Sequence, residues 1–333
     1  MKREFLLVLI VIAGCMSQVS RDQPLPLPIT QRDFRVGIAG FFPGNYPDSS
    51  SDDWQDYFEE LPHLGEVFGD YVAWNDSPDE KGIPEQIHTA VRISEQGGIT
   101  PVIALGYNID EVNESYFADH GEAYRNTVLA VVHTYRPEYL AIGVEVNSLY
   151  AKVSPEVFYD FVIFYKETYD AIKEMNPNTR VFTIFQFELM KGKARLTGLE
   201  VTPQWELIDL FEDKLDLVGF TVYPFLEYGS VSEIPPDYYT EIATYTECPL
   251  AFTEMGWPTN SAIAPGDEQE QVRFLLGLLE ATRVLDVELF IYPFLHDFTY
   301  NVELFETIGL KKNNGEEKLV FKYWLALKSL DLA

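Results

Sequence analysis

Residues 250–258 read Leu-Ala-Phe-Thr-Glu-Met-Gly-Trp-Pro, and residues 140–147 read Leu-Ala-Ile-Gly-Val-Glu-Val-Asn. In both stretches an apolar run that suits a buried β-strand ends on a glutamate. Because the carboxyl ends of parallel strands meet at one edge of a sheet or barrel, this placement brings Glu145 and Glu254 to the same face.

Eight apolar runs of this kind alternate with segments of helical period. They span residues 35–41, 70–74, 100–105, 139–144, 180–187, 215–222, 249–253 and 288–294. Ser154-Pro155, Thr202-Pro203 and Ile83-Pro84 are typical helix starts. Since no low-complexity linker interrupts the series, the pattern predicts an α/β fold, a single-domain (β/α)₈ TIM barrel over residues 33–333. A doubly wound open sheet is the alternative, but residues 37–40, Gly-Ile-Ala-Gly, lack its usual phosphate-binding turn.

Charge and histidine placement narrow the function classes. The chain carries 24 basic and 53 acidic residues, a formal net charge of −29. This field repels nucleic acid, so no nucleic-acid partner is expected. The histidines are His63, His88, His120, His133 and His296. Their scatter fits no metal motif, so neither a metal nor another cofactor is predicted, and the missing G-x-S-x-G elbow argues against a serine hydrolase. Nothing in the sequence indicates the oligomeric state.

The first residues have the layout of an export signal. Lys2 and Arg3 precede an apolar run over residues 5–12, and Ile-Ala-Gly-Cys at residues 12–15 resembles the lipobox of prokaryotic lipoproteins. We therefore predict a signal over residues 1–15, lipid on Cys15, a tether over residues 16–32, and an extracytoplasmic protein held at the membrane surface. An ordinary signal peptide or an uncleaved anchor is the alternative. With Cys15 lipidated, Cys248 has no partner for an intramolecular disulfide.

The glutamate motifs also resemble a known group of enzymes. Thr-Glu-Met-Gly-Trp-Pro-Thr at residues 253–259 is similar to the nucleophile motif of family 17 β-1,3-glucanases and family 53 galactanases, which belong to glycoside hydrolase clan A. The resemblance implies that Glu254 is the nucleophile, that Glu145 is the acid/base, and that Tyr223, in Val-Gly-Phe-Thr-Val-Tyr-Pro at residues 218–224, hydrogen-bonds the nucleophile and helps to keep it ionised. Retaining hydrolysis requires two carboxyl groups about 5 to 5.5 Å apart. The implied function is a retaining glycoside hydrolase acting on β-linked oligosaccharides or polysaccharides.

One position departs from the clan pattern. Clan A enzymes usually have asparagine directly before the acid/base, where it binds the sugar 2-hydroxyl, and this chain has Val144. Asn147 is a possible replacement for that contact. The alternative function is therefore a glycan-binding surface lipoprotein with a degenerate glycosidase barrel; an unrelated barrel enzyme is a third reading.

Further polar and aromatic residues follow the predicted strands and suit a glycan cleft. The candidate substrate contacts are Trp74, Asn108, Asn147, Gln186, Trp257 and His296. Glu188, close to the end of the fifth strand, is a weaker candidate because no motif surrounds it.

Overall fold

The computed structural model describes residues 25–193, 195–198, 202–261, 266–300 and 303–333. Eight parallel strands pair in chain order and close into a barrel. They are β1 (Arg35–Ala39), β2 (Val67–Ala73), β3 (Thr100–Gly106), β4 (Tyr139–Ile142), β5 (Arg180–Gln186), β6 (Leu217–Val222), β7 (Leu250–Met255) and β8 (Val287–Tyr292). The ladder between β1 and β8 completes the ring. The (β/α)₈ prediction is confirmed, and the open-sheet alternative is wrong.

Helices cover the outside of the ring. They are α1 (Ser51–Leu64), α2 (Glu85–Gly97), α3 (Tyr116–Tyr135), α4 (Pro155–Met175), the one-turn α5 (Phe187–Met190), α6 (Glu268–Thr282) and α7 (Leu319–Lys328). The Ser154-Pro155 start is confirmed, because the Ser154 side chain caps α4 by accepting from the Val157 amide at 3.3 Å. The helix expected at Thr202-Pro203 is instead a 3₁₀ segment over Trp205–Phe211.

Side chains on the strands alternate between two apolar layers, as the two-residue period of a strand requires. One layer fills the barrel interior: Ala39, Val67, Val102, Ala104, Tyr139, Ala141, Phe182, Ile184, Leu217, Ala251, Leu289 and Ile291. The other, larger layer packs the outer strand faces against the helices. Residues that face the interior at the carboxyl ends of the strands therefore form the barrel mouth, where catalytic groups of this fold are found.

The opposite end of the barrel is closed by the two ends of the described chain. Arg32, which precedes β1, is 2% exposed and forms a bidentate ion pair with Glu66 at 2.9 and 3.0 Å. Its guanidinium also donates to the carbonyls of Lys328 and Leu330, and its amide donates to the carbonyl of Asp331. Within the described residues, no helix is both long enough and apolar enough to span a membrane.

Candidate active site

The inner face of β6 organises the barrel mouth. Thr221 and Tyr223 are two residues apart and point to the same side. The Thr221 hydroxyl donates to Glu145 Oε1 at 2.6 Å, and the Tyr223 hydroxyl donates to Glu254 Oε2. β6 and the residue directly after it therefore hold both carboxylates that the sequence singles out, each by one hydroxyl group.

Glu145 stands on a sharp turn where β4 leaves the barrel. Gly143 has φ +81° and Glu145 itself has φ +51°, a left-handed conformation that is rare for a residue with a side chain. A methyl group on Gly143 would lie 2.5 Å from Val146 Cγ1 and 2.8 Å from Phe161 Cζ. The sequence thus needs glycine here, and the strained glutamate is held at the mouth at a cost of order 1–3 kcal/mol.

Glu254 reaches the mouth through a bulge in β7. Phe252 pairs with Phe220 on the neighbouring strand, and Glu254, not Thr253, pairs with Thr221. Thr253 is therefore an extra residue that interrupts the alternation of faces. Without this interruption Phe252 and Glu254 would point the same way, towards the helices. The bulge turns the Glu254 side chain inward beside Thr221.

The bulge is fixed from both sides. The Thr253 hydroxyl donates to the Phe220 carbonyl at 3.2 Å, and the Thr253 carbonyl accepts from the Tyr71 hydroxyl at 2.5 Å. Tyr71 projects from β2 into the interior layer and lies close enough for the Glu254 charge to raise the pKa of its phenol, after burial itself. Tyr71 and Thr221 were not predicted, because nothing in the sequence marks a tyrosine or threonine within an apolar strand as a mouth residue.

Burial dominates the electrostatics of the two glutamates. It raises the pKa of Glu145, although the Thr221 hydroxyl and the charge of Lys152 act in the opposite direction. Burial and then the negative charge of Glu145 raise the pKa of Glu254 to about 8. The Tyr223 hydroxyl favours ionised Glu254, as predicted, but burial outweighs it. Burial therefore opposes the ionisation of Glu254, and the expectation that Tyr223 keeps Glu254 ionised stays a prediction.

Two predicted contacts, Asn147 and Gln186, lie behind the barrel mouth in a buried polar layer, which we call the supporting layer. Asn147 is fully buried: its Nδ2 donates to the Gln186 carbonyl at 3.0 Å and its Oδ1 accepts from the Gln186 amide at 2.8 Å. The Gln186 side chain is also buried and bonds Glu188 Oε2 and the Leu189 amide. Because the polar atoms of both side chains already have protein partners, neither presents a free group to a sugar in this conformation.

The remaining predicted contacts differ widely in exposure. Trp257 is fully buried, and its Nε1 has no hydrogen-bond partner among the described residues. Trp74 is half-buried, stacks on Tyr124 with ring centroids 5.4 Å apart and donates to the Tyr116 hydroxyl at 3.0 Å. Asn108 is exposed and caps a 3₁₀ turn at Ile109–Glu111.

His296 follows β8 and borders a separate polar cavity of about 210 Å³ lined by the loop after β1, the first turns of α1 and the segment around Lys311. Burial lowers the pKa of His296 to about 4, so the imidazole is neutral at neutral pH. Among the described residues, no group of three or more His, Cys, Asp or Glu side chains could hold a metal ion. Cys15 lies outside the described residues.

Val144 occupies the position of the asparagine that clan A enzymes usually have. It is half-buried and packs against the interior layer of the barrel, and its Cγ2 lies 3.5 Å from the point where a side chain on Gly106 would begin. The side chain next to Glu145 is therefore an apolar wall of the mouth and offers no hydrogen bond to a ligand.

The fold has counterparts among solved enzymes. No protein-family model and no curated protein sequence matches the chain. The exo-β-1,4-mannosidase of Opitutaceae bacterium strain TAV5 matches 90% of this chain with a TM-score of 0.63 and 15% identity. A family 39 glycoside hydrolase from Bacteroides cellulosilyticus WH2 matches 92% with a TM-score of 0.61 and 19% identity. The family 17 β-1,3-glucanosyltransferase of Rhizomucor miehei matches 86% with a TM-score of 0.59 and 14% identity.

These likenesses concern architecture. The chain spans 59% of the mannosidase and 65% of the family 39 enzyme, but 96% of the family 17 enzyme. All three are glycoside hydrolases or transglycosylases built on this barrel. The chain is thus a single (β/α)₈ barrel of the architecture that clan A glycoside hydrolases share.

Proposed function

We propose that this protein is a retaining glycoside hydrolase that acts on β-linked glycans, with Glu254 as nucleophile and Glu145 as acid/base. The observation that carries the proposal is the hydrogen bonding along β6, where Thr221 holds Glu145 and Tyr223 holds Glu254 at one mouth. Double displacement needs two carboxyl groups and one proton between them. The two half-buried glutamates at the ends of different strands suit this mechanism, and the barrel architecture is shared with glycosidases.

In the first step Glu254 attacks the anomeric carbon of the bound sugar. The carbon–oxygen bond to the leaving group breaks, Glu145 donates its proton to the departing oxygen, and the sugar becomes an ester of Glu254. In the second step ionised Glu145 takes a proton from water, and the water oxygen replaces the Glu254 carboxylate at the same carbon. The product keeps its anomeric configuration, and both carboxyl groups return to their starting states.

The first step requires the shared proton to be on Glu145. Burial and the charge of Glu145 raise the pKa of Glu254 to about 8. At neutral pH, a fraction of the molecules therefore carries the shared proton on Glu254 instead of Glu145. Positive charge that develops on the sugar favours ionised Glu254, and the Tyr223 hydroxyl acts in the same direction. Because the pair has only this one proton to give, catalysis should fall as pH rises through about 8 and the proton is lost.

The test is hydrolysis of β-linked oligosaccharides by the purified chain and by Glu254→Gln. The panel contains neutral β-1,3- and β-1,4-linked glucans, mannans and galactans, and product is read as new reducing ends. We expect the parent to release product and Glu254→Gln to lose at least about 10³-fold of kcat, since it removes the nucleophile.

Two controls sharpen this test. Glu288→Gln makes the same change of carboxylate to amide at a half-buried position near the start of β8, away from the barrel mouth, so it controls for the loss of a carboxylate elsewhere in the barrel. With an aryl glycoside whose leaving group needs no proton, azide should restore turnover to a Glu145→Ala variant and give a glycosyl azide of retained configuration, because the anion attacks the ester of Glu254 without a general base. Full activity in folded Glu254→Gln would refute the assignment.

Val144 supports a second candidate, a glycan-binding protein that keeps the barrel without turnover. Val144 is apolar and Asn147 is engaged by Gln186, so neither residue donates to the sugar 2-hydroxyl in this arrangement. This candidate predicts saturable glycan binding by calorimetry and no product. A gain of hydrolysis in Val144→Asn alone would favour it over the first proposal.

The cellular position forms part of the proposal. The lipobox-like residues 12–15 support a lipoprotein anchored at the outer surface, where polymeric glycans are accessible. Metabolic labelling with a radioactive fatty acid should mark the parent chain and leave Cys15→Ser unlabelled. Equal labelling of both would exclude Cys15 as the lipid site.

A further inference from the structure

The barrel mouth contains a third carboxylate that the proposed reaction does not use. Glu188 lies in α5, directly after β5, and is completely buried. Its Oε2 accepts from the Gln186 side chain at 2.7 Å and from the Tyr223 main-chain amide at 3.1 Å, and its Oε1 accepts from the Tyr238 hydroxyl at 3.2 Å.

The surroundings of Glu188 are unusual for a buried acid. Within the described residues it takes part in no salt bridge, and the nearby Lys191 ammonium is directed instead to the Tyr238 carbonyl and Glu241. A buried carboxylate without a cation is costly unless hydrogen bonds satisfy it. Both oxygens accept from protein donors here, and the side chain is not exposed to a ligand.

One of these bonds is made where β6 leaves the barrel. Val222 is the last residue of β6, and the next amide, that of Tyr223, donates to Glu188. Glu188 thus provides an acceptor for a backbone group just past the end of the strand. The same residue, Tyr223, carries the hydroxyl that donates to Glu254.

We propose that Glu188 is a positioning residue, which anchors the backbone of Tyr223 so that the Tyr223 hydroxyl stays directed at Glu254. The inference deepens the proposed function and rests on it for the role of Glu254. Glu188 does not touch the reacting atoms in this scheme. Its effect on Glu254 passes through Tyr223, and the bond to Tyr238 braces the carboxylate from the other side.

The test follows the titration of Glu254 in the unliganded protein by carbon-13 NMR of labelled glutamate carboxyl groups, with Glu254→Gln to assign the signal. Glu188→Ala removes the anchor, so the Tyr223 bond weakens and the pKa of Glu254 should rise by about 1 unit. Tyr223→Phe should raise it in the same direction, and adding Glu188→Ala to Tyr223→Phe should change it no further.

Glu188→Gln is the matched control. Its amide oxygen still accepts from the Tyr223 amide, and its NH₂ group donates to the Tyr238 oxygen, so the anchor persists while the position can no longer ionise. We expect the pKa of Glu254 in Glu188→Gln to stay within about 0.3 units of the parent, a small fraction of the effect of one charged hydrogen bond. Should Glu188→Ala fail to fold, Glu188→Asp shortens the side chain, withdraws the carboxylate from the amide and should give the same upward shift.

Other titratable groups near Glu188 and Glu254 are the same in Glu188→Ala and in Glu188→Gln, so they do not affect the comparison of these two variants. Those that interact with Glu188 or Glu254 are Glu145, Tyr71, Tyr223, Tyr228, Tyr238 and Tyr239. Equal shifts in Glu188→Gln and Glu188→Ala, or an undiminished shift in the Tyr223→Phe background, would overturn the proposal, because Glu188 would then act by charge or by another path. The titration needs no turnover, so an inactive parent would count against the proposed function and leave this result interpretable.

Discussion

At the scale of single residues, the backbone around Glu145 is tightly constrained. Gly143 at φ +81° and Glu145 at φ +51° form a turn that the side chains of Val146 and Phe161 enclose. The position of the acid/base candidate is thus determined by steric fit around a glycine as well as by its own hydrogen bond to Thr221.

Gly143→Ala tests this constraint. Alanine must adopt a left-handed conformation and its methyl group must displace Val146 or Phe161, so we expect a loss of about 2–4 kcal/mol in the free energy of unfolding. Gly98→Ala is the matched control, since Gly98 has φ +65° but no atom within 4 Å of an added methyl group; it should cost only about 1 kcal/mol. Urea denaturation measures both, and equal losses would show that crowding at Gly143 is unimportant.

Thr221→Val isolates the hydrogen bond to Glu145. Valine keeps the shape of threonine but cannot donate, so ionised Glu145 loses a partner and its pKa rises further. If Glu145 is the acid/base, the second step should slow, and kcat should fall about 10-fold while the alkaline limb of the pH profile moves to higher pH. Thr183→Val, at a buried threonine whose hydroxyl donates to the Ile142 carbonyl, is the control. An unchanged alkaline limb in Thr221→Val would argue against this role.

The sequence identified the glutamates but not all of their partners. Glu145, Glu254 and Tyr223 stand in recognisable motifs at strand ends, and the structure brings them together. Thr221 and Tyr71 were missed because their function depends on which face of a strand they occupy. Asn147 was expected to face the substrate, but its position on the turn after Glu145 directs its amide into the supporting layer instead.

At the scale of elements, the helix caps make separable contributions. Ser154 caps α4 with its side chain, whereas Ser115, at the start of α3, makes no side-chain capping bond. Ser154→Ala should lower the free energy of unfolding by about 1 kcal/mol, and Ser115→Ala by clearly less. Thermal unfolding of the two variants beside the parent provides the comparison. A larger loss in Ser115→Ala would contradict the capping account.

Strand positions were predicted within a few residues because buried parallel strands are continuous apolar runs. The main error is β2, which begins at Val67 and not at Asp70, since a charged residue within the run obscured its apolar start. The bulge at Thr253 could not be predicted, because a bulge is a property of pairing between two strands. Simple alternation of faces would have turned Glu254 away from the mouth.

At the scale of the whole molecule, buried acids link stability to pH. Burial raises the pKa of Glu188 and Glu254 to about 8 and that of Asp70 to about 6. Carboxyl groups in an unfolded chain titrate near pH 4. Between about pH 4.5 and 8 the folded protein therefore binds more protons than the unfolded chain, and the free energy of unfolding falls as pH rises. Glu66, whose pKa is lowered to about 2 chiefly by its bonds to Arg32 and Lys328, opposes this trend only below about pH 4.5.

We expect the urea midpoint to decrease steadily from pH 5 to pH 8 at constant ionic strength. Glu188→Gln should flatten the slope, since it removes one of the groups whose ionisation is disfavoured by burial. Repeating the series at higher salt separates this effect from repulsion among surface charges, because salt screens exposed charges far more than buried ones. A midpoint that rises between pH 5 and 8 would contradict the assignment of raised pKa values.

The hydrogen bonds of Arg32 to the segment after α7 determine the end of the barrel at which β1 is entered. Arg32 precedes β1 and is fixed to the segment after α7, at the end of the barrel remote from Glu145 and Glu254. A surface attached through the residues before Arg32 would therefore approach the barrel from its closed base. The open mouth would then point outward, towards polymers that diffuse past, and the underlying surface would not obstruct their entry.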